Sequence, residues 1–244
     1  MVNLLRRWFG ASRGDGQPDV ADWARRAGHR YARSREGSGF VVEPASGALP
    51  WRLEWGAAQR QYIDGPELRL RAELGVATDL QMLVMTRPLM VRLEQQVFED
   101  FTQGNQTRMG DDTPEEMRWL VLYPKVPRAE LGLLRERFAA LSNLPRAAPM
   151  WLDGPLAQQL EASSTWLAEG QPLLLVVHRG RLTLRMQQPQ PTLAVLQAAL
   201  GLYGVALTGA RRVAQEVARG AVGSERPSTW GAPSALPPAD TPPR

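Results

Sequence analysis

The chain has 244 residues, of which 43% are apolar and 22% charged, with 29 Lys and Arg against 25 Asp and Glu. That composition excludes a wholly disordered polypeptide and fits one large or two small domains. The lack of cysteine excludes disulfides, thiolate metal sites and a cysteine nucleophile, so stability must come from packing.

The basic excess is local. Residues 1–35 hold eight Arg and three Asp, a net charge of +5, whereas the remainder carries 21 basic and 22 acidic side chains. Every cation except Lys125 is an Arg. A phosphate-tracking groove needs several convergent cations, and the body of this chain is mixed in sign, so nucleic acid is not an expected partner.

On a helix over residues 1–9, Met1, Val2, Leu5, Trp8 and Phe9 share one face, with Asn3, Arg6 and Arg7 opposite. Isolated helices shorter than about 12 residues are marginal in water. This element is therefore expected to fold against a protein, a membrane surface or its own domain. Val2, Leu5, Arg6, Arg7, Trp8 and Phe9 are its candidate contact residues. Arg6 and Arg7 interrupt the apolar run that a secretory signal needs, so the expected location is cytoplasmic, at the inner face of a membrane if the segment binds one. Residues 10–18 read as a linker rich in Gly, Ser and Pro.

A short helix is expected over residues 19–28, with Asp19 as its cap or first-turn acid and Gly28 as its stop. The period then changes to two. Trp51, Leu53 and Trp55 alternate with Arg52 and Glu54; Leu68, Leu70, Ala72 and Leu74 alternate with Glu67, Arg69, Arg71 and Glu73. Each strand should have one buried and one wet face, and if the two pair, Arg and Glu should alternate across the wet side. Residues 40–43 and 80–85 complete an antiparallel meander. The Trp51 and Trp55 face is either core or, if left open, an aromatic platform for a partner; the opposite face of the same strand being charged favours core.

Pro88 opens an expected helix to about Gln103, with Leu89, Leu93, Val97 and Phe101 on one face. Thr113-Pro114-Glu115-Glu116 resembles a helix start, with Thr113 as cap. Residues 117–123 read as mostly strand, because Trp119, Val121 and Tyr123 favour β structure and Pro124 closes the segment. Residues 128–143 are expected to be one amphipathic helix burying Leu131, Leu134, Phe138 and Leu141. Another should span residues 155–168. Residues 173–177 and 182–187 form the strongest hairpin candidate, turning at Arg179-Gly180.

A long helix is expected over residues 191–219. Its first part, residues 193–210, has no charge over a length that just permits a membrane span, although Gln197, Thr208 and three glycines weaken that reading. The glycines also allow close packing on another helix, in this chain or a second copy. Residues 221–244, with six Pro, read as a disordered tail.

The expected fold is α+β: an antiparallel meander with a helix over residues 19–112, then a mixed α/β half over residues 113–220 ending in a β-hairpin and a long apolar helix. No phosphate-binding, dinucleotide, zinc-hydrolase or nucleophile-elbow motif is present, and no cofactor is expected. Of the two histidines, His178 lies at a turn and His29 beside a helix end. The acidic run Asp111, Asp112, Glu115 and Glu116 fits helix N-terminal compensation better than a cation site. The leading reading is a non-enzymatic interaction or accessory protein with a protein partner, in which peripheral membrane contact and homo-oligomerisation are both compatible with the pattern. The alternatives are an enzyme with a dispersed Asp, Glu and Arg site, including Glu94 or Asp153, and a protein anchored by residues 193–210.

Overall fold

The computed structural model describes residues 17–34, 38–45, 50–103 and 113–220. The expected segment 1–9, most of the linker, the acidic residues 111–112 and the tail 221–244 lie outside the described residues. The fold is α+β: one eight-stranded antiparallel sheet covered by helices, with a long apolar helix last in chain order.

Helix α1 (Gln17–Arg26) leads into β1 (His29–Arg33), β2 (Phe40–Pro44), β3 (Trp51–Gly56) and β4 (Glu67–Glu73). These four strands form an antiparallel meander, in which β2, β3 and β4 were expected and β1 was not. The fourth expected strand is present as β5 (Met82–Thr86), but it does not join β4. The hairpin of β7 (Leu173–His178) and β8 (Arg181–Gln187) inserts between them, giving the order β1-β2-β3-β4-β8-β7-β5-β6. Arg179 and Gly180 both take positive φ, 50° and 72°, the backbone that a tight two-residue hairpin turn requires.

Two expectations fail on the period. The segment read as strand is a helix, α3 (Glu115–Leu122), because Glu116, Met117, Trp119 and Leu120 are buried together at helical spacing and outweigh the β-favouring side chains. Its N-cap is Pro114, not Thr113, and no side chain caps it. Residues 128–143 are not one helix. A tight 3-10 segment (Arg128–Glu136), broken at Gly132 with φ 52°, precedes an edge strand β6 (Phe138–Ser142). Leu131, Leu134 and Phe138 do share a core, but Leu141 points to the opposite side of the sheet.

Helix α2 (Arg87–Gln103) packs beside α3, whereas α4 (Ala147–Leu152), α5 (Pro155–Ala162) and α6 (Leu193–Ala218) pack together. The helix expected over residues 155–168 thus stops at Ala162 and gives way to a short 3-10 turn, although Leu167 is still buried. The main core lies between one face of the sheet and α1, α4, α5 and α6, uniting Leu53, Leu70, Leu184, Val84 and Phe138 with Leu202 and Tyr203. A smaller core on the other face joins Leu83, Met85, Leu141 and Leu174 to Leu93, Val97 and Trp119 of α2 and α3. That second layer covers β5, β6 and β7 alone. The same face of β2, β3, β4 and β8 carries charged side chains.

Candidate interaction surfaces

The charged face follows from alternation. With Leu53, Leu68, Leu70, Leu182 and Leu184 turned into the main core, their neighbours Arg52, Glu54, Glu67, Arg69, Arg71, Thr183 and Arg185 must face the other way. Glu67, with no exposed surface, accepts from Arg185 Nη1 at 2.6 Å, Arg69 Nη1 at 3.2 Å and the Gln59 amide at 2.7 Å. The loop over residues 57–66 closes over it, held also by Arg69 Nη1 to the Ala57 carbonyl and Gln187 Nε2 to the Asp64 carbonyl. Glu54 binds Arg52 through one oxygen and Arg69 Nε through the other at 3.2 Å. Burial acts to raise the Glu54 carboxyl, but the guanidinium groups of Arg52, Arg71 and Arg69 together hold it below the ordinary carboxylate range.

The alternation of Arg and Glu expected between β3 and β4 holds for Glu54 opposite Arg69. It fails one pair along, where Arg52 stands directly opposite Arg71.

A second buried carboxylate, Glu116 on α3, accepts from Arg60 Nε at 2.6 Å and from the Tyr62 hydroxyl. Burial would raise its carboxyl, yet Arg60 and Tyr62 outweigh that and hold it low. Tyr62 is pushed well above the usual phenol range, chiefly by burial and then by the adjacent carboxylate. Glu115 meets His178 Nδ1 at 2.5 Å, and His178 packs edge-on against Trp119 with ring centres 5.1 Å apart. His178 is pulled below the ordinary imidazole range, first by burial and against the attraction of Glu115. Glu115 and Glu116, in the first turn of α3, thus also tie that helix to the sheet and to the loop over residues 57–66.

Glu94, named above as a dispersed-site candidate, pairs with Lys125 at the surface. Asp153 lines a groove of about 960 Å³ beside the edge strand β6, bordered by Leu133, Arg146 and Met150. Among the described residues, the carboxyls whose shift is resolved, Glu54 and Glu116, both move down, which keeps them ionised beside their Arg partners.

The two Trp residues singled out in β3 differ in placement. Trp55 is buried, stacks with Phe40 at 5.7 Å and donates from Nε1 to the Gln188 carbonyl at 2.7 Å. Trp51 is half-buried and meets the edge of His29 at 5.0 Å. Val2, Leu5, Arg6, Arg7, Trp8 and Phe9 lie outside the described residues.

Large apolar side chains exposed among the described residues are Val91, Phe98, Val121, Leu122 and Leu133. Four of the five sit on the outer sides of α2 and α3. Val91 and Phe98, 54% and 67% exposed, lie two turns apart on one face of α2; Val121 and Leu122, 55% and 67% exposed, end α3. The stripe expected for α2 already leaves Val91 and Phe98 outside it, whereas reading residues 117–123 as a strand hid Val121 and Leu122.

Helix α6 is long and apolar enough to cross a membrane, and 39% of its most apolar stretch is buried against the rest of the chain. Leu196, Leu202, Tyr203, Leu207 and Val213 point into the main core, whereas the outward positions are small or polar: Ala194, Gln197, Gly201, Gly204 and Thr208.

No family model matches the chain, and no curated protein matches it. Among solved structures, the crystal structure of the mycobacterial trehalose monomycolate transport factor A, TtfA, is similar over 82% of this chain and 97% of that one, with a TM-score of 0.46 and 13% identity. A likeness of that degree carries no functional inference.

Proposed function

We propose that this chain is a non-enzymatic accessory protein that acts by binding another protein through the outer faces of α2 and α3. One observation carries the reading: exposed large apolar side chains concentrate on these two adjoining helices, where solvated helices ordinarily present polar groups. The ionic groups support it by their roles. Glu54, Glu67 and Glu116 are each saturated by Arg, amide or hydroxyl donors, and they brace the platform on which α3 rests.

The amphipathic segment over residues 1–9, with Val2, Leu5, Trp8 and Phe9 as its apolar side and Arg6 and Arg7 beside anionic headgroups, is the proposed means of peripheral membrane contact. We infer that α6 is a core helix and not an anchor. Withdrawn into a bilayer it would uncover Leu70, Leu184 and Met186, and its outward stripe offers lipid only small and polar side chains.

The test uses the full chain purified with whatever protein co-purifies stoichiometrically. Replacing Phe98 and Leu122 together by Ser should release that protein while leaving the chain folded, because both side chains are 67% exposed. Deleting residues 1–9 should abolish sedimentation with phosphatidylglycerol vesicles and leave the protein complex intact. A chain whose interactions survive both changes does not work this way.

A further inference from the structure

We propose that the open face of β1 to β4 is a second docking surface, independent of the helical one, and that Arg30, Arg52 and Arg71 seat the carboxylates of an acidic segment on a partner polypeptide. Arg30 stands opposite Glu43, Glu43 is joined to Arg52 at 2.6 Å, and Arg52 stands directly opposite Arg71, which faces Thr183. One row across five strands therefore holds three guanidinium groups and one carboxylate. Like charges placed directly opposite one another destabilise a sheet, and Glu54, which lies against both Arg52 and Arg71, offsets that pairing only in part.

The neighbouring carboxylates do not neutralise the row. Both oxygens of Glu54 are bonded, to Arg52 and Arg69, which leaves Arg71 Nη2 3.6 Å from that group. One oxygen of Glu43 is bonded to Arg52, and Arg30 Nη2 stays 3.9 Å from the other. Arg30 and Arg71, 73% and 48% exposed at the side chain, thus make no hydrogen bond to these carboxylates, and a planar N–H fork can receive a partner's carboxylate through two parallel bonds. The row floors a depression of about 480 Å³, closed at one end by Pro44, Pro50 and Trp51 and at the other by Glu73 with Arg181.

The charge pattern selects the class of partner. Glu43 lies within the row and Glu73 at its end, so the cationic patch is short: a few carboxylates on a flexible chain fit between them, whereas the extended anionic surface of a lipid bilayer or a nucleic acid also meets both Glu residues. A polypeptide can place its own donors against these two Glu residues while its carboxylates meet the Arg row.

The experiment titrates the full chain with a fluorescein-labelled oligoglutamate peptide, with oligoglutamine, phosphatidylglycerol vesicles and double-stranded DNA as parallel probes. Expected is salt-sensitive binding of oligoglutamate and not of oligoglutamine. Replacing Arg30 and Arg71 by Gln should weaken it about tenfold or more, as loss of charge-assisted hydrogen bonds does. Arg71→Lys, which keeps the charge without the fork, should fall between. Each change removes only a long ion pair, 3.9 Å to Glu43 or 3.6 Å to Glu54, so thermal unfolding should shift little, and the Phe98 and Leu122 variant should bind oligoglutamate as the parent does. The proposal is overturned if oligoglutamate is not bound, if the double variant binds it equally, or if vesicles or DNA bind through the same Arg residues in its place.

Discussion

Trp151 of α4 lies directly against Gly209 of α6. A Cβ added at Gly209 would meet Trp151 Cδ1 at 3.0 Å, and the indole cannot yield, because it is 1% exposed and donates from Nε1 to the Ala206 carbonyl at 2.9 Å. The absent side chain lets α4 and α6 approach closely and closes the main core at that point. Glycine inside a helix ordinarily destabilises by about 1 kcal/mol relative to alanine. Gly201→Ala and Gly204→Ala, where an added Cβ meets nothing within 4 Å, should therefore stabilise by about 0.5–1 kcal/mol. Gly209→Ala should destabilise, since overpacking of about 1–3 kcal/mol exceeds the gain in helix propensity. Urea unfolding of the three variants checks the contrast in sign; equal stabilisation would show that Trp151 can move.

The fully buried carboxylate of Glu67 is the second test. Its removal strands Arg185 and takes from Arg69 one of its two carboxylate partners, each Arg being only 13% exposed at the side chain. Breaking one partner of a buried charge network destabilises by about 3–5 kcal/mol. Glu67→Ala should do so in urea unfolding, while Glu73→Ala, whose pair with Arg181 is more than half exposed on both sides, should change stability by less than about 1 kcal/mol.

Glu116 and Tyr62 make the fold sensitive to pH from both directions. The folded Glu116 carboxyl titrates below its unfolded value, so its contribution is present above about pH 4.3 and is lost as pH falls through the lower folded value. Tyr62 titrates higher folded than unfolded, so its contribution is complete below about pH 10 and is lost as pH rises through the folded value. Glu116→Gln should flatten the acid limb of a stability profile, and Tyr62→Phe the alkaline limb. Chemical unfolding midpoints measured from pH 3 upward would show whether each limb follows its residue.

How far these features are legible in the sequence depends on the range of the interaction that sets them. Strict alternation in residues 51–55 and 67–74, and the Arg179-Gly180 turn, are local signals, and β3, β4 and the β7–β8 hairpin form where alternation places them. Leu131, Leu134, Phe138 and Leu141 fit a helical stripe, but a strand reaching both faces of a covered sheet also buries consecutive residues, and β6 is buried at all five positions. Residues 117–123 mislead in the opposite sense, because the burial that makes α3 helical comes from α2 and the loop over residues 57–66. The insertion of β7 and β8 between β4 and β5 leaves no local mark, and with it goes the register that sets Arg52 against Arg71. Trp55 as core was readable from the charged opposite face; the unbonded forks of Arg30 and Arg71 were not, because alternation does not reveal which carboxylates are already occupied.

The standing of α6 yields to a quantitative test. Leu202 is fully buried, and Tyr203 beside it donates its hydroxyl to the Leu182 carbonyl of β8 at 2.9 Å. In a core helix, Leu202→Ala removes packed methyl groups from a close-fitted interior and should destabilise the soluble protein by about 2–5 kcal/mol. Tyr203→Phe leaves the Leu182 carbonyl short of a donor and should destabilise by about 1–3 kcal/mol. The parent chain should meanwhile stay in the supernatant after high-salt washing of membranes, because its Leu and Tyr side chains are already engaged by the sheet. A helix serving as an anchor behaves differently: it requires detergent for release, and Leu202→Ala then leaves the unfolding midpoint of the remaining domain where it was.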